Sequence, residues 1–226
     1  MSTDRQGGAN SRTPKPAPNR LDRRKARTRA ALVAAAQLIL AEQGRADVSI
    51  QEITEAADVG FGSFYNHFTS KDELFEAAVA RTLEQHGTLL DSAVGDLKDP
   101  AEIFAASVRL TGRLQRTHPQ IARILVRTGM PYLTSDSGLA PLAMRDLQAA
   151  ADNGRLDIDD ARTAVAMAGG ALLGVLHLLE ARPDLDAERV TDQLAVRLLR
   201  MFGMTRAEAQ EIATRPLPAI SARDLT

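Results

Sequence analysis

An all-α fold is what this sequence predicts, with a unit of short helices over residues 21–70 followed by a larger helical body. Three observations carry the prediction. Apolar residues recur at spacings of three and four, and no segment shows the sustained two-residue alternation of a half-buried strand. Helix openings are written out repeatedly: Ser49-x-x-Glu52, Ser70-x-x-Glu73 and Thr205-x-x-Glu208 all have the form of a capping box, in which hydroxyl and carboxylate each satisfy a backbone N–H. Helix endings are equally explicit at Gly154, Pro183 and Gly203, residue types that take a left-handed turn or cannot continue a helix.

Taken in order, residues 1–20 carry Pro14, Pro16 and Pro18 among Gly, Ser and Asn, with too little apolar surface to pack, so a disordered tail is expected. A first helix is expected from Asp22 to Gln43, ending at Gly44, with Leu32, Val33, Ala36, Ile39 and Leu40 as its apolar stripe. Basic Arg23-Arg24-Lys25 ahead of that run resembles a secretion signal, but Gln37 and Glu42 interrupt it and the spacing is helical, so an amphipathic helix is the better reading. Short helices follow at Ile50–Ala57 and Phe61–Phe68, and a connecting helix from Lys71 to about Asp91 accounts for residues 71–93. Asp99-Pro100-x-Glu102 combines an N-cap, a proline at the first helical position and a first-turn carboxylate, opening a helix that runs to about Thr117. Pro119 starts a short helix ending near Gly129. The others read as Leu139–Asn153, Asp160–Arg182, Ala187–Phe202 and a short one after Thr205. Residues 94–215 therefore form the body, and 216–226, with Pro216 and Pro218, a C-terminal tail. Thr163–Leu179 is free of charge and close to the lower length limit for a membrane span. His177 and three glycines lower its hydrophobicity, so a helix buried at a core or subunit interface is expected, and no membrane contact.

Composition narrows the function. The chain has no cysteine, hence no disulfide, thiolate zinc site or cysteine nucleophile, which fits a reducing, cytoplasmic setting. Its four histidines (67, 86, 118, 177) are scattered, and HExxH, GxSxG and a strand-borne glycine loop are all missing, so no catalytic residue, metal or cofactor is expected. A net charge of −1 argues against a polyanionic partner until it is partitioned. The first thirty residues carry +7 and the remainder −8, a basic arm in front of an acidic body.

The informative stretch is Val48–Lys71, VSIQEITEAADVGFGSFYNHFTSK. It reads as a short helix, a three-residue turn at Asp58-Val59-Gly60, and a second short helix. Ile50, Ile53, Ala57, Val59, Phe64 and Phe68 supply an apolar inside that two short helices cannot bury alone. Long helices before and after must close it. This is the shape of a helix-turn-helix, whose second helix is presented to the DNA major groove.

Continued to Phe75, the stretch VSIQEITEAADVGFGSFYNHFTSKDELF resembles the DNA-binding region of the TetR family of bacterial regulators. The hydroxyl cap Ser49, the Phe-Tyr-x-His-Phe core and the Ser-Lys-x-Glu-Leu opening of the next helix carry the resemblance, over roughly residues 23–85. Two positions depart from it: Thr54 stands where the family has alanine and Asp58 where it has glycine. Aspartate is among the few residues that tolerate a left-handed turn, so the geometry is expected to survive. The resemblance implies an N-terminal three-helix helix-turn-helix DNA-binding domain, plus a C-terminal helical domain that binds a small effector and dimerises through its last two long helices. The expected partners are a double-stranded DNA operator, an effector and a second copy of the chain.

Residue by residue, Tyr65 and His67 are polar donors flanking Phe64 and Phe68 and are expected to reach phosphates, as is Lys71 at a helix start. Tyr65 as an amphipathic core residue and Lys71 as a solvated surface lysine are the ordinary alternatives. Base reading falls to Gln51, Phe61, Ser63 and Asn66. Gly60 and Gly62 weaken the recognition helix and would let its backbone approach DNA. Ser49 completes the set, and Arg23, Arg24 and Lys25 would enter the minor groove or lie along the backbone. Phe104, Val108, Leu125, Met130, Tyr132, Met144 and Met167 are the expected effector-site residues, with His177 as a polar contact; plain core is the alternative for each. The absence of tryptophan and the scarcity of buried charge suggest an uncharged, lipophilic effector. Gly170, Gly174, Val190, Leu194, Leu198 and Met201 are the expected dimer contacts. A repressor released by its effector is the leading function; an effector-independent architectural DNA-binding protein, and more remotely a helical enzyme, are the alternatives.

Overall fold

Eleven α-helices and one short 3₁₀ helix succeed one another, with no strand among the residues described, which are 19–43, 48–136 and 138–218 of this computed structural model. Most of the tail expected over residues 1–20, the stop at Gly44 and most of the C-terminal tail lie outside the described residues. Helix α1 (Arg20–Gln43) begins two residues before the expected start. Its opening is a reciprocal cap: the Asp22 N–H donates to Asn19 Oδ1 at 2.9 Å and the Asn19 N–H to Asp22 Oδ2 at 3.2 Å. Helix α2 (Ile50–Ala56) opens on the complete Ser49–Glu52 capping box. The turn after it places Asp58 at φ 52°, the left-handed conformation that aspartate was expected to tolerate.

Helix α3 (Gly62–Tyr65) is half the expected length. The N–H groups of Ser63, Phe64 and His67 each donate to the carbonyl three residues earlier, so this segment is wound as tight single turns rather than a regular helix. Gly60 just before the segment and Gly62 at its start, each a poor helix former, account for this. Helix α4 (Lys71–Val94) is longer than expected by a turn, capped by Ser70. The predicted helix from Pro100 to Thr117 is two pieces, α5 (Pro100–Gly112) and α6 (Leu114–Thr117). At the junction, a side chain on Gly112 would stand 2.2 Å from Thr191 Cγ2, so glycine there lets another helix cross closely.

The body continues through α7 (Pro119–Thr128), the 3₁₀ helix Met130–Thr134, α8 (Leu139–Asp152), α9 (Ala161–Ala181), α10 (Ala187–Met201) and α11 (Arg206–Thr214). Helix α10 supplies the Thr191 that Gly112 admits, and Asp192 beside it accepts from buried Arg109 at 2.7 Å and from Arg113 at 3.1 Å. One core unites α1, α2, α3 and α4 around Leu32, Leu40, Ile53, Phe64 and Leu74, and it extends without a break into Ala122, Ile124 and Leu125 of α7 and Leu176 of α9. A second core joins α5, α8, α9, α10 and α11 around Phe104, Leu147, Leu199 and Phe202. Helix α7 is thus packed as a member of the N-terminal unit although it belongs to the body by sequence.

Candidate DNA-binding face and ligand cavity

The helix-turn-helix is anchored by two rings and presented by two others. Phe64 and Phe68 are fully buried, 6.0 Å apart, and burial of each such ring contributes ~1.5–3 kcal/mol. Their spacing of four turns Phe61 and Tyr65 outward, where they are 54% and 57% exposed and meet edge to face at 6.0 Å. Asn66 and Gln51 are also exposed and Ser63 is half-buried beside them. Gln51 donates to Glu55 at 2.9 Å along the outer face of α2. Gly60 and Gly62 have ordinary backbone angles, and a side-chain carbon on Gly62 would meet nothing within 4 Å. Neither turn geometry nor internal packing therefore requires glycine at 62.

Two residues of the expected DNA-binding set, Ser49 and Lys71, have internal work. Ser49 accepts from the Glu52 N–H and donates to its carboxylate, so its hydroxyl is spent on the cap. Lys71 Nζ donates to the Val48 carbonyl at 2.8 Å, bracing the residues that lead into α2 and leaving the other ammonium protons for an anion. Glu73 already fills the start of α4, accepting from the Thr69 N–H at 2.6 Å. Folding adds a neighbour that spacing does not reveal. The Arg29 guanidinium of α1 lies 5.0 Å over the Phe68 ring, and its charge, with that of Lys25, reaches His67. Burial first, and those two cations second, hold the His67 imidazole below its ordinary pKa. Arg23, Arg24 and Lys25 are exposed on the same helix. The basic start of α1 therefore lies beside His67 and Phe68, just after α3.

Behind this unit, α4, α5, α7, α8 and α9 enclose a cavity of about 140 Å³. Of the residues expected at an effector site, Phe104, Val108, Leu125 and Tyr132 line it. Met130, Met144, Met167 and His177 do not. Met130 and Met167 are 62% and 48% exposed, His177 is on the surface and Met144 is half-buried against the second core beside residues 159–162. The reason is helical phase: α9 lines the cavity with Val165, Ala168, Gly169, Leu172 and Leu176, and positions 167 and 177 lie on its outer side. Gly169 is a close-approach residue, since a side-chain carbon there would stand 2.4 Å from Leu133. The walls are leucine-rich, but Asp91, Ser107, Thr111, Tyr132 and Asp146 bring polar atoms to them. Arg145 bridges the two carboxylates, donating to Asp146 at 2.9 Å and to Asp91 at 3.1 Å. Sequence reading missed these aspartates because isolated acidic residues in charged helices look like solvated surface.

The residues expected at a dimer contact divide between the surface and the core. Gly170 and Gly174 meet open space, in line with exposed Met167 and Leu178. Val190 is half-buried and Met201 exposed, but Leu194 and Leu198 are 7% and 3% exposed and belong to the chain's own second core. They pack in the core that α10 shares with α5, α8, α9 and α11, and the outward side of α10 carries Gln193, Arg197 and Met201. Helix α9 is long and apolar enough to cross a membrane, with a mean hydropathy of 1.7 over a window only 28% buried.

A helix-turn-helix sharing its core with a helical body that encloses a cavity is the architecture of a DNA-binding transcriptional regulator. A family model described as "Bacterial regulatory proteins, tetR family" matches residues 32–78, and one described as "Tetracyclin repressor-like, C-terminal domain" matches residues 99–215. The chain belongs to the TetR family. It is 35% identical to RolR, solved in complex with resorcinol, with a TM-score of 0.71 over 88% of this chain and 99% of that one. An uncharacterized HTH-type transcriptional regulator of Mycobacterium tuberculosis is 28% identical over 43% of this chain and 48% of its own length. The HTH-type transcriptional repressor DhaR of Mycobacterium sp. strain GP1 is 36% identical over 31% and 38%. The chain thus spans about half the length, or less, of the curated relatives it matches.

Proposed function

We propose that the chain represses transcription as a cytoplasmic homodimer on a near-palindromic operator, and that a small, uncharged, hydroxylated aromatic entering the cavity releases it. The observation that carries this reading is the cavity itself: about 140 Å³, apolar in its walls, polar at separate points, and walled by α4 and α7, which share a core with the helix-turn-helix. RolR's ligand, resorcinol, is a ring of that character. The carboxylates of Asp91 and Asp146 disfavour an anionic acid and suit a hydroxyl donor.

On DNA, Phe61, Ser63 and Asn66 of the α3 segment, with Gln51 of α2, face the bases; Tyr65, His67 and Lys71 hold phosphates; Arg23, Arg24, Lys25 and Arg29 extend the contact from α1. Backbone contacts position the unit and base edges specify the site. Dimerisation through Gly170, Gly174, Val190 and Met201, with Met167 and Leu178 beside them, sets two recognition segments about 34–36 Å apart, or a multiple of it, to meet successive major grooves. The test is a mobility-shift titration on the DNA upstream of the chain's own gene, with Tyr65→Phe and resorcinol as separate arms. Operator binding weakened several-fold by Tyr65→Phe and reversed by resorcinol is the expected result. No binding, or binding indifferent to the substitution, overturns the DNA assignment, and an indifferent resorcinol arm overturns the effector class.

A further inference from the structure

The buried end of the cavity holds a polar pair that the reading above leaves unused. Thr111 of α5 lines the cavity and is 5% exposed. The hydroxyls of Thr82, Thr88, Thr117, Thr128 and Thr191 each bond back to the carbonyl four residues earlier in their own helices. Thr111 Oγ1 instead pairs with His86 Nε2 of α4 at 2.9 Å. His86 is 2% exposed, and its Nδ1 has no partner. A buried N–H without an acceptor is rarer and costlier than a bare lone pair, so the proton belongs on Nε2, where it is donated to Thr111. The Thr111 hydroxyl proton is then left over, with the cavity as the space beside it. The cavity wall also carries Asp146 and, on the same helix as His86 but five residues and ~7.5 Å further along, Asp91. Carboxylates only accept, whereas a hydroxyl oriented by His86 donates.

We propose that Thr111 is the specificity-determining contact at the buried end of the effector site, positioned by His86, and that it selects ligands with a second ring hydroxyl. The oxygen of that hydroxyl accepts from Thr111 while the first hydroxyl donates to the Asp146–Asp91 end. The inference rests on the hydroxylated-aromatic reading of the cavity and adds the demand for two hydroxyls and the residue that enforces it. A ligand lacking the second hydroxyl leaves Thr111 facing an apolar ring, which penalises it.

Calorimetric titration of the full chain with resorcinol and with phenol tests this. Wild-type protein is expected to prefer resorcinol roughly tenfold, the size of one well-made buried hydrogen bond. Thr111→Val, which keeps the shape and removes the hydroxyl, should lower resorcinol affinity to near that of phenol and leave phenol nearly unchanged. Thr111→Ser should retain the preference. His86→Leu should lose it and His86→Gln, which still carries an amide donor, should restore part of it. A merely structural role for His86 would lower both affinities alike. Wild-type binding of resorcinol with an unaltered resorcinol-to-phenol ratio in Thr111→Val overturns this inference alone. Failure of wild-type protein to bind resorcinol overturns it together with the effector class.

Discussion

At the scale of single residues, the side chains that matter are those whose surroundings do not explain them internally. Gly62 is one, because a methyl group there meets nothing within the chain. Replacing it with alanine removes the entropic cost of glycine in a helical turn, up to ~1 kcal/mol. Gly62→Ala should therefore raise the melting temperature yet weaken operator binding, as expected of a backbone that DNA approaches closely. Unchanged affinity in a mobility shift would leave the glycine without a role at the interface. His86 is the other. Burial chiefly, and the neighbouring His118 next, lower its pKa from 6.5 to about 4. Between those values the unfolded chain binds a proton that the folded chain refuses, so this contribution is whole above pH 6.5 and is lost as pH falls toward 4. Urea midpoints should drop from pH 7.5 to pH 5, and His86→Gln should flatten that part of the profile.

At the scale of elements, α7 joins α4 in connecting the cavity to the DNA-binding unit. Its Leu125 and the Gly129 that follows it line the cavity, while Arg127 donates to the Leu40 carbonyl at 3.0 Å and to that of Ala41 at the end of α1. The last turn of α1 has no basic residue of its own, so α7 supplies the positive charge that the helix end favours. A ligand that displaces α7 must disturb the end of α1, whose start carries the basic arm. Arg127→Met is expected to leave resorcinol affinity within roughly twofold while cutting the ligand-induced loss of DNA affinity several-fold, because coupling needs an element that both sites bias. Paired titrations with and without operator read both quantities. An intact coupling in this variant would assign transmission to α4 instead.

At the scale of the whole molecule, the outer face of α9 is more apolar than a lone chain in water favours, with Met167 and Leu178 exposed beside the open surface at Gly170 and Gly174. A second copy covering it would bring small residues together and let two helices approach closely. Met167→Glu combined with Leu178→Glu places charges on that face without touching either core. The pair should convert a dimer to monomers in sedimentation while leaving helical circular dichroism intact, and operator affinity should fall because two half-sites are no longer held together. A variant that sediments like wild-type protein would move the interface elsewhere.

Much of this molecule was legible in its sequence because local chemistry dictated it. Caps at Ser49, Ser70, Asp99, Asp160 and Thr205, and a stop at Pro183, set helix boundaries, since each satisfies or forbids particular backbone groups within a few residues. The alternation of buried Phe64 and Phe68 with exposed Phe61 and Tyr65 followed from helical period alone. What only the tertiary structure decided was which faces of long apolar helices look inward. Leu194 and Leu198 carry the same pattern as an interface stripe but are claimed by the chain's own second core. Met167 and His177 belong to the same helix as the cavity wall but to its other side. Asp91, Thr111 and Arg127 acquired their roles from partners 25 to 87 residues away. Periodicity reports that a helix has an apolar side; the neighbour that covers it is fixed by packing between distant segments, and no local pattern encodes that.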